Sequence, residues 1–147
     1  MQGLRKRNLI KPIQSYASSG RPLLGICLGM QLLFDKSFES GSSEGLKILQ
    51  GSVERFSELK VPHMGWNQIK IQPVGKGLFQ GLSSGENVYF CHSYFVKPKD
   101  ASIAAGTTNY GIDFVSAVSK DNIWGVQFHP EKSQKAGLQI MKNFSQL

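Results

Sequence analysis

The sequence predicts an α/β domain, and three observations carry the prediction. An apolar run, Leu23-Leu24-Gly25-Ile26, passes through Cys27 and Gly29 into a helix-like stretch. Past residue 50 the chain is mostly short segments rich in β-branched and aromatic residues, separated by turn residues. An amphipathic helical pattern stands at each end. A central sheet with helices on both faces, and a largely antiparallel second half, accommodates all three within one domain over residues 1–147.

Taken in order, residues 1–19 read as helix, with Leu4, Leu9, Ile10, Ile13, Tyr16 and Ala17 close to one stripe. Pro12 either kinks this helix or restarts it. Gly20 suits a left-handed cap. The run before Cys27 reads as a strand covered on both faces. A helix is expected from Leu28 to about Phe38, then a polar glycine-serine loop over 39–45. Strands are expected around 51–56 and 68–71, with one helical turn at 77–82. Further strands follow at 88–96, 103–108, 114–119 and 123–128, the last entered through an Asp121-Asn122 hairpin. Residues 133–147 read as a closing helix with Leu138, Ile140, Met141 and Phe144 on its apolar side.

Composition narrows the class. Hydrophobic content is 40% and charged content 18%, which fits a globular chain and not a disordered one. The two cysteines, Cys27 and Cys91, do not form a disulfide framework or a paired-cysteine zinc site, so no metal is expected. No apolar run approaches membrane-spanning length and no signal peptide opens the chain, so a cytoplasmic setting without a membrane partner is expected. The net charge of +7 raises nucleic acid as a partner. Only Arg5, Lys6, Arg7 and Lys11 cluster, without interleaved aromatics, which favours a solvated face or an acidic partner over nucleic acid.

The chemistry centres on Cys27. Gly25 and Gly29 bracket it at the spacing of a nucleophile elbow, in which a sharp strand-to-helix turn projects the side chain out of the sheet. Small neighbours are expected at both glycines, and the helix start is expected to lower the thiol pKa. His129 and Glu131 follow the end of a later strand, the edge where α/β sheets place their sites. In an extended segment residues i and i+2 share a side, so Glu131 can orient His129 across Pro130. Nucleophile, base and orienting carboxylate are then all present.

These segments resemble the two hallmark motifs of the class I (triad) glutamine amidotransferases: Gly25-Ile26-Cys27-Leu28-Gly29-Met30-Gln31, and Gly125-Val126-Gln127-Phe128-His129-Pro130-Glu131. Pro62-His63-Met64-Gly65-Trp66-Asn67 and Tyr89-Phe90-Cys91-His92-Ser93-Tyr94 look like one branch, the glutaminase subunits that serve a cyclase making imidazole glycerol phosphate in histidine biosynthesis. The resemblance runs the length of the chain. It implies a flavodoxin-like sheet flanked by helices and a Cys27-His129-Glu131 triad that hydrolyses glutamine to glutamate and ammonia without a cofactor. It further implies the Leu28 amide as an oxyanion donor, and Gly25, Gln31, His92, Ser93 and Tyr94 around the glutamine. The implied partner is a (β/α)8-barrel cyclase in a heterodimer, faced by Met64, Gly65, Trp66, Asn67 and Lys132, with Lys132 opposite an acidic residue. Trp66 taken alone fits core as well as interface.

Members of the family begin with a strand-helix-strand stretch ahead of the first helix found here. The resemblance therefore implies a truncated sheet, short of roughly 30 residues or more. It also implies the loss of a second oxyanion donor, at about 3 kcal/mol, with impaired glutaminase activity of the chain alone. Two alternatives stay open: an inactive subunit that only scaffolds a partner, or a paralogue serving another synthase.

Overall fold

The computed structural model describes residues 1–39, 41–57 and 59–147. The first helix is two: α1 (Gln2–Lys6) and α2 (Ile10–Ser18). Asn8 separates them at φ 54°, a left-handed conformation that asparagine tolerates. Pro12 then falls in the first turn of α2, where its missing N–H forfeits no helical bond. Gly20 turns the chain at φ 76° into β1 (Leu23–Ile26).

The helix after Cys27, α3 (Leu28–Leu32), is far shorter than expected. The cause is non-local. The Leu46 amide donates to the Leu32 carbonyl at 2.7 Å, and those of Ile48 and Leu49 to Leu33 at 2.9 Å. Carbonyls that a longer helix would use are therefore occupied. The chain continues instead as β2 (Phe34–Ser37), which pairs with β3 (Ser43–Glu44) and runs parallel to β4 (Leu49–Arg55).

The remaining strands are β5 (His63–Ile71), β6 (Glu86–His92), β7 (Tyr94–Pro98), β8 (Ala104–Tyr110), β9 (Ile112–Lys120) and β10 (Ile123–Val126). The strand expected over 88–96 splits at Ser93, because its first half pairs with β5 and its second with β4. β9 is the hub. One edge pairs with β8, and the other meets β7 at Val115 and β10 at 117–120. Nearly all of these pairings are antiparallel, but β1 and β10 run parallel in register, Gly25 beside Gly125 and Ile26 beside Val126.

Helices lie on both faces. α4 (Gln134–Phe144) packs Ala136 and Ile140 against a core containing Phe90, Val126 and Phe128. On the other side Leu4, Ile10, Ile13 and Ala17 cover Met30, Phe34, Val53 and Val118. Two burial expectations fail. Leu23, Leu24 and Ile26 are only half-buried, because β1 lies at the sheet margin and pairs with β10 alone among the described residues. On α4, Leu138 is 70% exposed and Met141 also faces out. Asn143 takes an inward position instead, donating to the carbonyls of Leu78 and Gln80 at 2.8 Å.

Candidate active site

Cys27 stands between β1 and α3 at φ 51°, ψ −109°, a region that costs a non-glycine residue energy and that nucleophile elbows adopt. Its amide donates to the Val126 carbonyl at 2.7 Å, which ties the elbow to β10. The two bracketing glycines differ. A Cβ on Gly25 would sit 2.7 Å from the Gly29 carbonyl carbon and the Met30 nitrogen, so α3 can fold back only over glycine. A Cβ on Gly29 would meet open space, so no steric need is visible there. Gly125 has a parallel duty: a Cβ would press on Met30 Cγ at 2.5 Å.

His129 and Glu131 leave the carboxyl end of β10, beside the strand that ends at Cys27. His129 Nδ1 and Glu131 Oε1 are 2.7 Å apart. The expected extended geometry is not how they meet. Pro130–Lys132 forms one 3-10 turn, and that turn swings Glu131 back to the ring. Gly137 lets α4 close on this turn, since a Cβ would collide with the Pro130 carbonyl. Burial alone would raise the Glu131 carboxyl. Its own amide, the His129 ring and Lys132 outweigh that and hold it below the usual range.

The thiol does not follow expectation. Its pKa is raised, because burial outweighs the hydrogen bond from the Leu28 amide. Nearby Cys91 raises it further, the Gln127 side chain lowers it and Glu131 raises it. A single-turn helix is a weak dipole against desolvation. Gln127 Nε2 donates to the sulfur at 3.5 Å, and the thiol points at the Cys91 carbonyl at 3.9 Å. Among the described residues the sulfur has no hydrogen bond to His129.

The other candidate residues divide by where their side chains point. The Leu28 side chain is exposed, and its amide hydrogen-bonds the Cys27 sulfur. Leu28 and Gln31 border an open cleft of about 470 Å³. The Gln31 amide itself turns inward, to the Tyr94 carbonyl and Gln127 Oε1, both at 3.0 Å. His92 is buried with both ring nitrogens engaged, on the Tyr94 carbonyl at 2.7 Å and His63 at 2.9 Å. The Ser93 carbonyl accepts from the Phe56 amide at 3.2 Å. On β5, Met64 and Trp66 face out, at 60% and 49% exposure. Asn67 instead turns its amide inward, to His63 at 3.2 Å and the Asn109 carbonyl at 2.9 Å. Lys132 lies over the Tyr89 ring at 5.6 Å, and Tyr89 meets Trp66 edge-on.

Three residues of the site escape sequence reasoning. Gln127 is fully buried; a glutamine inside an apolar strand end is the signal that could have found it. Ser133 looks like a helix cap, but its hydroxyl takes the Tyr89 amide at 3.0 Å and donates to the His129 carbonyl at 2.7 Å. It thereby fastens the His129 turn to β6. His63, after Pro62, reads as structural or interfacial until its pairing with His92 is seen.

A cysteine in a strained backbone conformation at a strand end, with a histidine-carboxylate pair following the next parallel strand, is the arrangement a cysteine-nucleophile site on an α/β sheet needs. The family model of class-I glutamine amidotransferases matches residues 3–146, and the chain belongs to that family. Among its relatives is the imidazole glycerol phosphate synthase subunit HisH of Syntrophotalea carbinolica, 53% identical over all of this chain and 75% of that one. The subunit of the same name in Rhodopirellula baltica is 50% identical over 97% of this chain and 70% of its own. The resemblance drawn from the motifs is thus borne out. A solved glutamine amidotransferase of Thermotoga maritima shares the fold at a TM-score of 0.64 and 20% identity. It is matched over 97% of this chain and 56% of its own, so this chain spans little more than half of it. Among the described residues no helix is long and apolar enough to cross a membrane.

Proposed function

We propose that this chain is the glutamine-hydrolysing subunit of an imidazole glycerol phosphate synthase. Cys27 sulfur attacks the side-chain amide carbon of glutamine, and His129 takes the thiol proton. The oxyanion forms against the Leu28 amide. His129 returns the proton to the leaving ammonia, which leaves a γ-glutamyl thioester. His129 then activates the water that releases glutamate, and Glu131 holds the ring throughout. The ammonia passes to a (β/α)8-barrel cyclase docked on the Met64 and Trp66 face, with Lys132 toward an acidic group. The two thiols are free, and a reducing cytoplasm is the setting that suits them.

One observation carries this reading. The strands bearing Cys27 and His129 are parallel neighbours, so nucleophile and base leave the same sheet edge. The raised thiol pKa, with no hydrogen bond from His129 to the sulfur among the described residues, favours a second reading, a subunit that binds its cyclase without turning over. Glutamate release by the complex separates the two. Cys27→Ala should lower it by about 10⁴-fold or more. Equal release by the Cys27→Ala and unaltered complexes would overturn the glutaminase reading.

A further inference from the structure

We infer that His63, His92 and Gln127 are positioning residues in one hydrogen-bond network between Asn67 on β5 and the Cys27 sulfur: the imidazole pair and Gln31 both donate to the Tyr94 carbonyl, and Gln31 in turn fixes Gln127 with an N–H toward the sulfur. The inference rests on Cys27 as the glutaminase nucleophile.

The direction of each bond is fixed by a partner that can play only one role. At the outer end the Asn67 oxygen accepts from the Gln68 amide at 2.8 Å, and one N–H donates to the Asn109 carbonyl at 2.9 Å. The second N–H therefore donates to His63 Nε2 at 3.2 Å, and the proton of a neutral His63 ring sits on Nδ1. At the inner end His92 Nδ1 faces the Tyr94 carbonyl at 2.7 Å, which can only accept. The His92 proton is thus on Nδ1 and its Nε2 is a bare acceptor. His63 Nδ1 lies 2.9 Å from that Nε2. The two assignments, made independently, agree.

A second run of donors meets the same carbonyl from the other side. The Tyr94 carbonyl also accepts from Gln31 Nε2 at 3.0 Å. The other Gln31 N–H donates to Gln127 Oε1 at 3.0 Å. That leaves Gln127 only one way round, with Nε2 toward Cys27 at 3.5 Å. A reversed amide would aim an oxygen lone pair at a sulfur that must become anionic. His63 and His92 remain neutral inside the core, both pushed down to about 4 by burial, so neither adds a charge. The charged and titratable groups acting on the pair and the sulfur are His129, Cys91 and Glu131.

Two measurements test the network without glutamine or cyclase. Nitrogen-15 spectra of the imidazoles at pH 7.5 should show His63 and His92 both as the neutral Nδ1–H tautomer. Either ring as Nε2–H overturns the inference. Alkylation of Cys27 by iodoacetamide, followed peptide by peptide across pH, reads the donor at the sulfur. Gln127→Leu should slow it about tenfold at pH 7.5, and His63→Phe, which keeps the ring stacking, about threefold. His63→Gln, which restores one donor and one acceptor, should recover most of the rate. An unmoved alkylation profile in folded His63→Phe overturns the inference. If that variant does not fold, the tautomers decide alone. A wild-type complex that releases no glutamate would sink the glutaminase reading while leaving these results standing.

Discussion

The two faces of the β5–β6 hairpin use the same strands for opposite ends. Its inner face carries His63, Asn67, Phe90 and His92, packed among Phe56, Tyr110 and Phe114. Its outer face carries Met64, Trp66 and Tyr89, with Cys91 beside Cys27. Two polar imidazoles lie inside, beside Phe90 and Val88, while the large apolar side chains of Met64 and Trp66 lie outside. Buried polar groups persist only when every donor and acceptor is used, and here the ring nitrogens are. Exposed apolar residues grouped on one face mark a surface that another molecule covers. One face is therefore bonded inward, and the other is the face on which the proposed cyclase would dock.

The sharpest way to break this contrast is to truncate one ring on each face. Phe90 is fully buried, so Phe90→Ala should cost about 3–5 kcal/mol in urea unfolding. Trp66→Ala, at a half-exposed site, should stay within about 0.5 kcal/mol while weakening cyclase binding at least about tenfold. Similar costs from both substitutions would mean that the outer ring is core after all.

A smaller effect comes from acid. Unfolded, His63 and His92 take up protons near 6.5; folded, they stay neutral until about 4. The unfolded chain thus binds more protons across that window, and stability falls as pH falls through it. Between pH 7.5 and 5 the loss should be about 2 kcal/mol for each ring. His63→Phe should remove one ring's share of the slope. An unchanged slope in that variant would place the acid sensitivity elsewhere.

How much of this the sequence could reveal depended on distance along the chain. The elbow around Cys27 and the His129-Glu131 pair are local patterns, and both follow strand ends as read, although the pair meets through a 3-10 turn and not an extended segment. The short α3 was hidden because the groups that end it, the amides of residues 46–49, arrive from a separate segment. The His63–His92 pair spans 29 positions and exists only through strand register. Period-2 alternation shows that Met64 and Trp66 oppose His63 and Asn67, but not which set faces the core. Hydrophobicity points the wrong way here, because the apolar set is the outer one. The thiol pKa was missed for a different reason. The helix start that should lower it is visible in sequence, whereas the burial that outweighs it is not.

The mildest change falls on Lys132, at the rim of the outer face. Its ammonium over the Tyr89 ring is worth about 0.5 kcal/mol at an exposed site, so Lys132→Gln should barely move unfolding. Its role in docking would appear elsewhere. A rim charge that meets an opposite charge changes the association rate and its salt dependence more than the fold. Cyclase binding by the unaltered chain should therefore quicken as salt is lowered, and binding by Lys132→Gln should lose most of that response. If both bind with the same salt dependence, Lys132 faces solvent in the complex. The partner surface would then narrow to Met64 and Trp66, the two β5 side chains that the inner face leaves over.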